Sequence, residues 1–262
     1  MLVSQSNQGY QNKTFGPTFI GVAGGRGAGK KELCELIVSK LNEKRLNEVT
    51  TLVLMIELDD FHRELTDYER ELAAKGHALN LDHPDAFDFK LLEEVMVKVC
   101  QGAEVTLPRW DPRTMTRTQG DVISARPQVV LVEGILTLYN RNIRRFFDMQ
   151  IFIEVDADTR LGRNLKTFVE KNQQADGQDA SPEALNTYLK NYLLLEKPVF
   201  EEFILPSKRW ADIIIPRGDE NRVAMNLIMH HINDMVISNR NTAAPSEAAS
   251  KRSSVYTLTP DQ

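Results

Sequence analysis

A chain of 262 residues, 42% of them hydrophobic, is long enough for one large α/β domain with a substantial core. Its formal net charge of -5 comes from interspersed acids and bases, which argues against nucleic-acid binding and against an anionic membrane surface. No stretch reaches the ~18 consecutive apolar residues of a membrane span, and the N-terminus lacks a signal-peptide core. We therefore expect a cytoplasmic protein with one domain at residues 17–237, a flexible leader at 1–16 and a disordered tail at 238–262.

The first predicted element is a central strand, residues 19–23, that ends in a run of glycines and is followed by an apolar helical pattern. Gly24, four further residues and then Gly29-Lys30 fit the phosphate loop of nucleotide-binding proteins. In that loop, backbone NH groups and a helix N-terminus surround phosphate oxygens. The predicted nucleotide-binding residues are Gly24, Gly25, Arg26, Gly27, Ala28, Gly29, Lys30 and Lys31.

Position 31 departs from the phosphate-loop motif. The motif has Ser or Thr there, because that hydroxyl ligates the magnesium that accompanies the nucleotide, whereas this chain has Lys31. An ammonium within ~4 Å of the metal would repel it by several kcal/mol in a partly desolvated site. Either the lysine turns outward or the metal is lost.

Further apolar runs predict four more strands of the same sheet, and two of them end in acids. The strand at 52–56 leads to Asp59, and the strand at 129–132 ends in Glu133; the others are 151–155 and 213–215. Predicted helices lie between the strands, at 65–75, 89–101 and 182–197, and a last one at 221–237 closes the domain. Strands that alternate with helices predict a parallel sheet covered on both faces, and its acidic strand ends lie on the edge that carries the glycine loop.

Two stretches interrupt this alternation. Residues 105–107 and 116–123 flank Pro108-Arg-Trp-Asp-Pro-Arg113, which predicts a hairpin-like excursion that exposes Trp110. Residues 171–182 have no apolar period and predict a mobile loop.

The chain resembles the uridine-cytidine kinase family, within the uridine kinase and phosphoribulokinase group of phosphate-loop kinases. The resemblance keeps the family's order over about residues 19–235, and its motifs include Leu81-Asp-His-Pro-Asp-Ala-Phe87, Val132-Glu-Gly-Ile-Leu136, Val155-Asp-Ala-Asp-Thr-Arg-Leu161 and Lys197-Pro-Val-Phe-Glu-Glu-Phe203. It implies an α/β three-layer sandwich of the P-loop NTPase type, with a central parallel sheet, a small β-hairpin and a lid. It also implies transfer of the ATP γ-phosphoryl group to the 5'-hydroxyl of a pyrimidine nucleoside in pyrimidine salvage, with magnesium, by a homo-oligomer.

The resemblance assigns roles to three acids. Asp59 matches the acid that accepts the 5'-hydroxyl proton and helps to hold magnesium, Glu133 matches a second carboxylate near the metal, and Asp82 matches the residue that grips the ribose. The plainer alternatives are a solvated turn carboxylate for Asp59 and an Asx-type cap for Asp82. Further nucleoside contacts are implied for Trp110, Met115, Arg117, Ile135, Arg163 and Asn191.

Base recognition departs from the family pattern. The family's two aromatics and histidine align with Trp110, Pro112 and Met115, so Trp110 can stack on a base, with Ile135 beneath it, but the polar group that reads the pyrimidine edge is missing. Arg117 can equally be an exposed hairpin charge. His62 replaces a tyrosine and, taken alone, is more often a surface histidine than a ligand.

The residues of the predicted lid also depart from the family pattern. The family uses several lid arginines against the phosphates, and here Arg160 and Arg163 persist while position 164 is Asn. Lys166 and Lys171 can partly substitute, although a lysine lacks the bidentate fork.

Three interpretations stay open. The leading one is a uridine kinase-like enzyme that uses ATP and magnesium. The second is a catalytically impaired nucleotide-binding or scaffold homologue, and the third is a kinase for a different small hydroxyl acceptor. For the impaired homologue we expect the Lys31 ammonium to occupy the metal's region, paired with Asp59 or Glu133.

Overall fold

The computed structural model describes residues 16–43, 53–124, 126–176, 180–216, 221, 226–232 and 234–235. Seven strands occur in this part of the chain: β1 Thr18–Gly24, β2 Val53–Glu57, β3 Val105–Asp111, β4 Thr116–Ile123, β5 Val129–Gly134, β6 Met149–Glu154 and β7 Ile213–Pro216. Five of them form a parallel sheet in the order β2-β5-β1-β6-β7, and β3 and β4 form a separate antiparallel hairpin. The predicted parallel sheet and hairpin are confirmed.

The described helices are α1 Lys30–Glu43, α2 Asp67–Ala74, α3 Phe89–Gln101, α4 Arg141–Arg144, α5 Ala157–Asp176 and α6 Pro182–Asn191. After α6 the chain stays helical as far as Trp210 and contains two wide π-helical turns, Tyr192–Glu196 and Phe200–Ile204. None of the described helices combines the length and the apolar character that a membrane crossing needs.

Apolar side chains cover both faces of the sheet. One buried cluster joins Leu33 and Ile37 of α1 to Ile151 of β6, and the other joins Leu92 and Met96 of α3 to the opposite face. All seven residues of β1 are buried, as expected for a central parallel strand with helices on both sides. The sheet is therefore a rigid base, and the side chains at its carboxyl edge are fixed by strand register.

The prediction of a mobile loop at 171–182 changes at its N-terminal end. Residues 171–176 continue α5, so the prediction of a mobile loop there is wrong, and residues 177–179 lie outside the described part. Phe168 of α5 packs against Tyr188 of α6 with ring centroids 4.7 Å apart, and this tertiary contact stabilises a helical turn that has no apolar period of its own.

The remaining terminal predictions lie largely outside the described residues. This holds for the leader, apart from Gly16, and for the tail at 238–262. Within the predicted helix 221–237, residues 226–232 are helical, and Ile228 and Ile232 are buried against the α1 side of the sheet.

Candidate functional site

The loop between β1 and α1 has the backbone of a phosphate-binding loop. Gly27 and Gly29 adopt φ angles of 72° and 88°, a left-handed conformation that strains other residues. Lys30 begins α1, and its Nζ donates a hydrogen bond to the Gly25 carbonyl at 3.2 Å. Burial lowers the pKa of Lys30, while Glu133 and Asp59 raise it. The lysine is thus a partly buried cation beside Asp59, the predicted catalytic acid, and Glu133, the predicted second carboxylate near the metal.

A cleft of about 490 Å³ lies over the carboxyl edge of the sheet, between the phosphate loop, α5 and α6. The predicted site residues that line it are Arg26, Gly27, Lys30, Asp59, Asp82, Glu133, Ile135 and Asn191. The structure thus brings together residues that are up to 165 positions apart (191 minus 26) in one cavity. Its size is within the range of small-molecule sites.

Glu133 and Asp59 reach this cleft from neighbouring strands. Glu133 is paired in register with Val22 of β1 and Glu57 of β2, and Asp59 follows β2 in a short 3-10 turn. Burial raises the pKa of Glu133 to about 7, with smaller contributions from Lys30, which lowers it, and from Asp59, which raises it. The two carboxylates form an acidic pair whose charge a cation would offset.

This donor set fits magnesium bound together with a nucleotide. Magnesium in such sites takes one or two carboxylates, and substrate phosphates and water supply its other ligands. Within the described residues, no group of three or more His, Cys, Asp or Glu side chains is arranged to hold a metal by itself. Asp59 and Glu133 would therefore hold the ion jointly with the phosphates.

Lys31 turns away from this region. Its Nζ lies 2.9 Å from Glu57 Oε1, on the β2 side of the loop, and the side chain is about half exposed. Consecutive helical residues point about 100° apart, so Lys30 faces the loop while Lys31 faces the end of β2. The expectation that Lys31 pairs with Asp59 or Glu133 and takes the metal's region is wrong.

Asp82 already has a partner. Arg26 Nε lies 2.8 Å from both carboxylate oxygens of Asp82, and Arg26 Nη1 lies 3.9 Å from Asp59 Oδ2. Asp82 is buried, with only 8% of its side chain exposed. The ribose acid and the phosphate loop are therefore joined by an ion pair that the sequence did not predict.

The predicted nucleoside contacts on the hairpin lie outside the cleft. Trp110 is buried and stacks on His62 with ring centroids 5.0 Å apart, so the prediction that Trp110 is exposed is wrong. Arg117 Nη1 is bonded to Asp88 Oδ2 at 3.0 Å, so it is not an exposed hairpin charge. Met115 lies in the hairpin turn with a φ of 53°. Among the described residues, the three predicted hairpin contacts Trp110, Met115 and Arg117 do not line the cleft.

His62 is buried, contrary to the surface position predicted for it. Its ring nitrogens lie 2.7 Å from the Asp59 carbonyl and 3.0 Å from the Leu81 carbonyl. The imidazole thus connects the turn that carries Asp59 to the loop that carries Asp82. No sequence pattern signals this role, because both partners are backbone oxygens.

The first two turns of α5 pack directly on the phosphate loop. Arg163 Nη1 donates to the Gly27 carbonyl at 3.3 Å, so this predicted substrate residue contacts the loop. Arg160 is buried, its guanidinium carbon lies 3.8 Å from the Phe200 ring centroid, and its Nε donates to the Val155 carbonyl. A Cβ atom at Gly27 would approach Asn164 Oδ1 to 2.7 Å, so glycine is also required there for close packing.

Sequence reasoning missed several polar residues of the cleft, among them Asn80, Tyr188 and Glu196. Burial and the neighbouring Asp82 raise the pKa of Glu196. Asn80 Oδ1 is buried and has no hydrogen-bond partner among the described residues. A buried acceptor without a donor is costly, so this oxygen is suited to a ligand hydroxyl or amine.

The family follows from the sequence itself. The sequence profile of the phosphoribulokinase and uridine kinase family matches residues 19–224. The chain belongs to this family. It is similar to uridine-cytidine kinase 2-B of Danio rerio, with 39% identity over 221 residues, 84% of this chain and 80% of the relative. It is also similar to uridine-cytidine kinase B of Dictyostelium discoideum, with 36% identity over 217 residues, 82% of this chain and 81% of the relative.

A solved structure supports the fold of this family member. D-glycerate 3-kinase from Cryptococcus neoformans superposes with a TM-score of 0.54 at 15% sequence identity, covering 77% of this chain and 87% of that one. At this identity the match shows the fold alone. The predicted α/β fold of a P-loop kinase is confirmed.

Proposed function

We propose that this uridine kinase family member transfers the γ-phosphoryl group of ATP to the 5'-hydroxyl of a pyrimidine nucleoside, giving UMP or CMP. One observation carries the proposal: Lys30, Asp59, Glu133 and Asp82 line the same cleft at the carboxyl edge of the sheet. These are a phosphate-binding cation, a base, a second carboxylate and a ribose acid. Membership of the family and the similarity to uridine-cytidine kinases support the same reaction.

In this mechanism the loop NH groups and Lys30 bind the phosphates of ATP, and Asp59 accepts the 5'-hydroxyl proton. A bond forms between the 5'-oxygen and the γ-phosphorus, the bond from the γ-phosphorus to the β,γ-bridging oxygen breaks, and ADP leaves with that electron pair. Magnesium, when bound, neutralises charge on the β- and γ-phosphates. Asp59 and Glu133 are the residues that would hold it.

Two features of the cleft shape this proposal. Lys31 is paired with Glu57, so its ammonium does not oppose a cation near Asp59. Ile135 and Asn191 line the same cleft as Asp82 and are suited to contact the nucleoside. The same proposal includes a role in pyrimidine salvage, a cytoplasmic location and a homo-oligomeric state. These rest on the composition of the chain and on its membership of the family.

The test is turnover by the purified protein with ATP, magnesium and a panel of nucleosides, with the monophosphate separated by chromatography. We expect UMP and CMP to form, and Lys30→Met to abolish their formation. Thermal stabilisation by ATP without transfer to any nucleoside would contradict the proposal and favour an impaired homologue. Transfer to a small alcohol other than a nucleoside would reassign the acceptor.

A further inference from the structure

The Arg26 guanidinium has no part in the chemistry above, yet it lies at its centre. Two of its nitrogens, Nε and Nη2, donate to Asp82, and the third, Nη1, faces Asp59 Oδ2 at 3.9 Å. It therefore lies between the carboxylate proposed to accept the hydroxyl proton and the carboxylate proposed to bind the ribose. Because its backbone belongs to the phosphate loop, the side chain can also reach a bound phosphoryl group.

The Arg26–Asp82 pair compensates a buried charge. Asp82 is 8% exposed, and a carboxylate so far removed from water needs hydrogen-bond donors. Arg26 supplies these donors. A ribose diol offers two O–H donors to the same oxygens, so a bound nucleoside can replace the arginine without leaving Asp82 unsatisfied.

The lid does not provide a free guanidinium. Arg160 is covered by Phe200 and donates to the Val155 carbonyl, and Arg163 donates to the Gly27 carbonyl. Among the described residues that line the cleft, Arg26 is the one arginine. The stabilisation of phosphoryl charge that other phosphotransferases obtain from an inserted arginine is therefore available here from the phosphate loop.

We propose that Arg26 is a catalytic cation stored on Asp82 and released when the acceptor binds. The nucleoside takes Asp82, and the freed guanidinium donates to the γ-phosphoryl oxygens that gain charge during transfer. This inference rests on the proposed function and deepens it. It also couples the two substrates: without an acceptor the arginine is held away from the phosphate, so transfer to water is slow.

Steady-state kinetics and nucleoside binding of Arg26→Gln test this role, with Arg70→Gln as the control. Arg70 is an exposed arginine on α2 that pairs with Glu64. We expect Arg26→Gln to lower kcat about a hundredfold and to bind uridine several-fold more tightly in the absence of ATP, because competition for Asp82 is gone. Arg26→Lys should restore part of kcat, since it keeps the charge without the fork. Arg70→Gln should change neither quantity.

Asp82→Asn provides an independent readout. An amide pairs poorly with the guanidinium, so we expect weaker uridine binding together with faster ATP hydrolysis in the absence of acceptor. Unchanged kcat in Arg26→Gln, or an unchanged hydrolysis rate in Asp82→Asn, would overturn the role of Arg26 and leave the proposed function standing. A wild-type protein without any transfer to nucleosides would contradict the proposed function itself, and the role of Arg26 with it.

Discussion

The phosphate side and the hairpin side of the cleft are built in different ways. On the phosphate side, Lys30 and Asp59 follow strands β1 and β2, Glu133 lies at the end of β5, and all three line the cavity. On the hairpin side, Trp110 packs on His62 and Arg117 pairs with Asp88, away from the cleft. Strand register in a buried sheet fixes side-chain positions, whereas a two-stranded hairpin leaves its side chains to choose local partners. Roles inferred by similarity are therefore better supported at the sheet edge than on the hairpin.

The largest effect is expected at the sheet edge, for Asp59→Asn. Losing the acceptor of the 5'-hydroxyl proton should lower kcat about a thousandfold, with little change in stability. The matched control is Asp60→Asn, because Asp60 accepts a hydrogen bond from the Trp110 backbone and faces the hairpin. Steady-state kinetics of both variants give the comparison, and an equal loss of kcat in the two would show that the sheet edge and the hairpin do not differ in this way.

On the hairpin we expect a loss of stability for Trp110→Ala. Trp110 is 8% exposed and stacked on His62, so truncation should lower the free energy of unfolding by about 3 kcal/mol. Trp210→Ala is the control: Trp210 is 44% exposed, and its loss should cost about 1 kcal/mol or less. Urea titrations measure both. A stable Trp110→Ala variant that has lost only uridine affinity would return Trp110 to the base-binding role.

Lys31→Thr should have a smaller effect, on the magnesium requirement. The hydroxyl adds a ligand, so the magnesium concentration for half-maximal rate should fall, by about tenfold at most. Lys31→Ala should leave that concentration unchanged, because the ammonium is already bonded to Glu57, and each variant should lose at most about 1 kcal/mol of stability. If Lys31→Ala lowers the requirement as much as Lys31→Thr, the ammonium acts on the metal directly.

The smallest effect is expected for the ion pair between Arg63 and Glu69. Arg63 donates to the Asp85 carbonyl and pairs with Glu69 at 2.7 Å, which ties α2 to the loop that carries Asp82. Hydrogen bonds, chiefly from the Arg63 guanidinium and then from the Thr66 backbone and hydroxyl, lower the pKa of Glu69 from 4.5 to about 2. A lowered folded-state pKa stabilises the fold above about pH 4.5, and this stabilisation is lost as the pH falls towards 2.

Glu69→Gln should therefore be less stable than the wild type by about 1 kcal/mol at neutral pH, a value limited by solvent screening. The difference should shrink between about pH 4.5 and pH 2 in thermal melts. Glu71→Gln, which breaks an exposed pair with Lys75, should show almost no difference at any pH. A pH-independent gap for Glu69→Gln would mean that its capping contacts, not its charge, matter.

The sequence predicts the sheet and its edge because buried strands give continuous apolar runs, and the phosphate loop has a fixed spacing. It does not predict the partners of Lys31, Arg26 or His62. Asp82, the partner of Arg26, lies 56 residues away in the sequence. The partner of Lys31 depends on the rotation of α1, and the partners of His62 are backbone oxygens, which carry no sequence signal. The family resemblance gave the residue types of the site. Packing against His62, which the sequence does not reveal, places the Trp110 side chain in the interior and not in the cleft.

The wide turn at Tyr192–Glu196 makes the composition of the cleft depend on the backbone hydrogen-bond pattern of this helix. In a regular α-helix, residues 191 and 196 would point about 140° apart. A turn closed by bonds between residues five apart brings Asn191 and Glu196 to the same side, where both line the cavity. Converting this turn to a regular α-helix without changing the number of residues would rotate one of the two out of the cleft, whereas deleting one residue would leave them four positions apart, about 40° around the helix, on the same side. A change in backbone hydrogen bonding, with no substitution, is therefore enough to remodel the acceptor site.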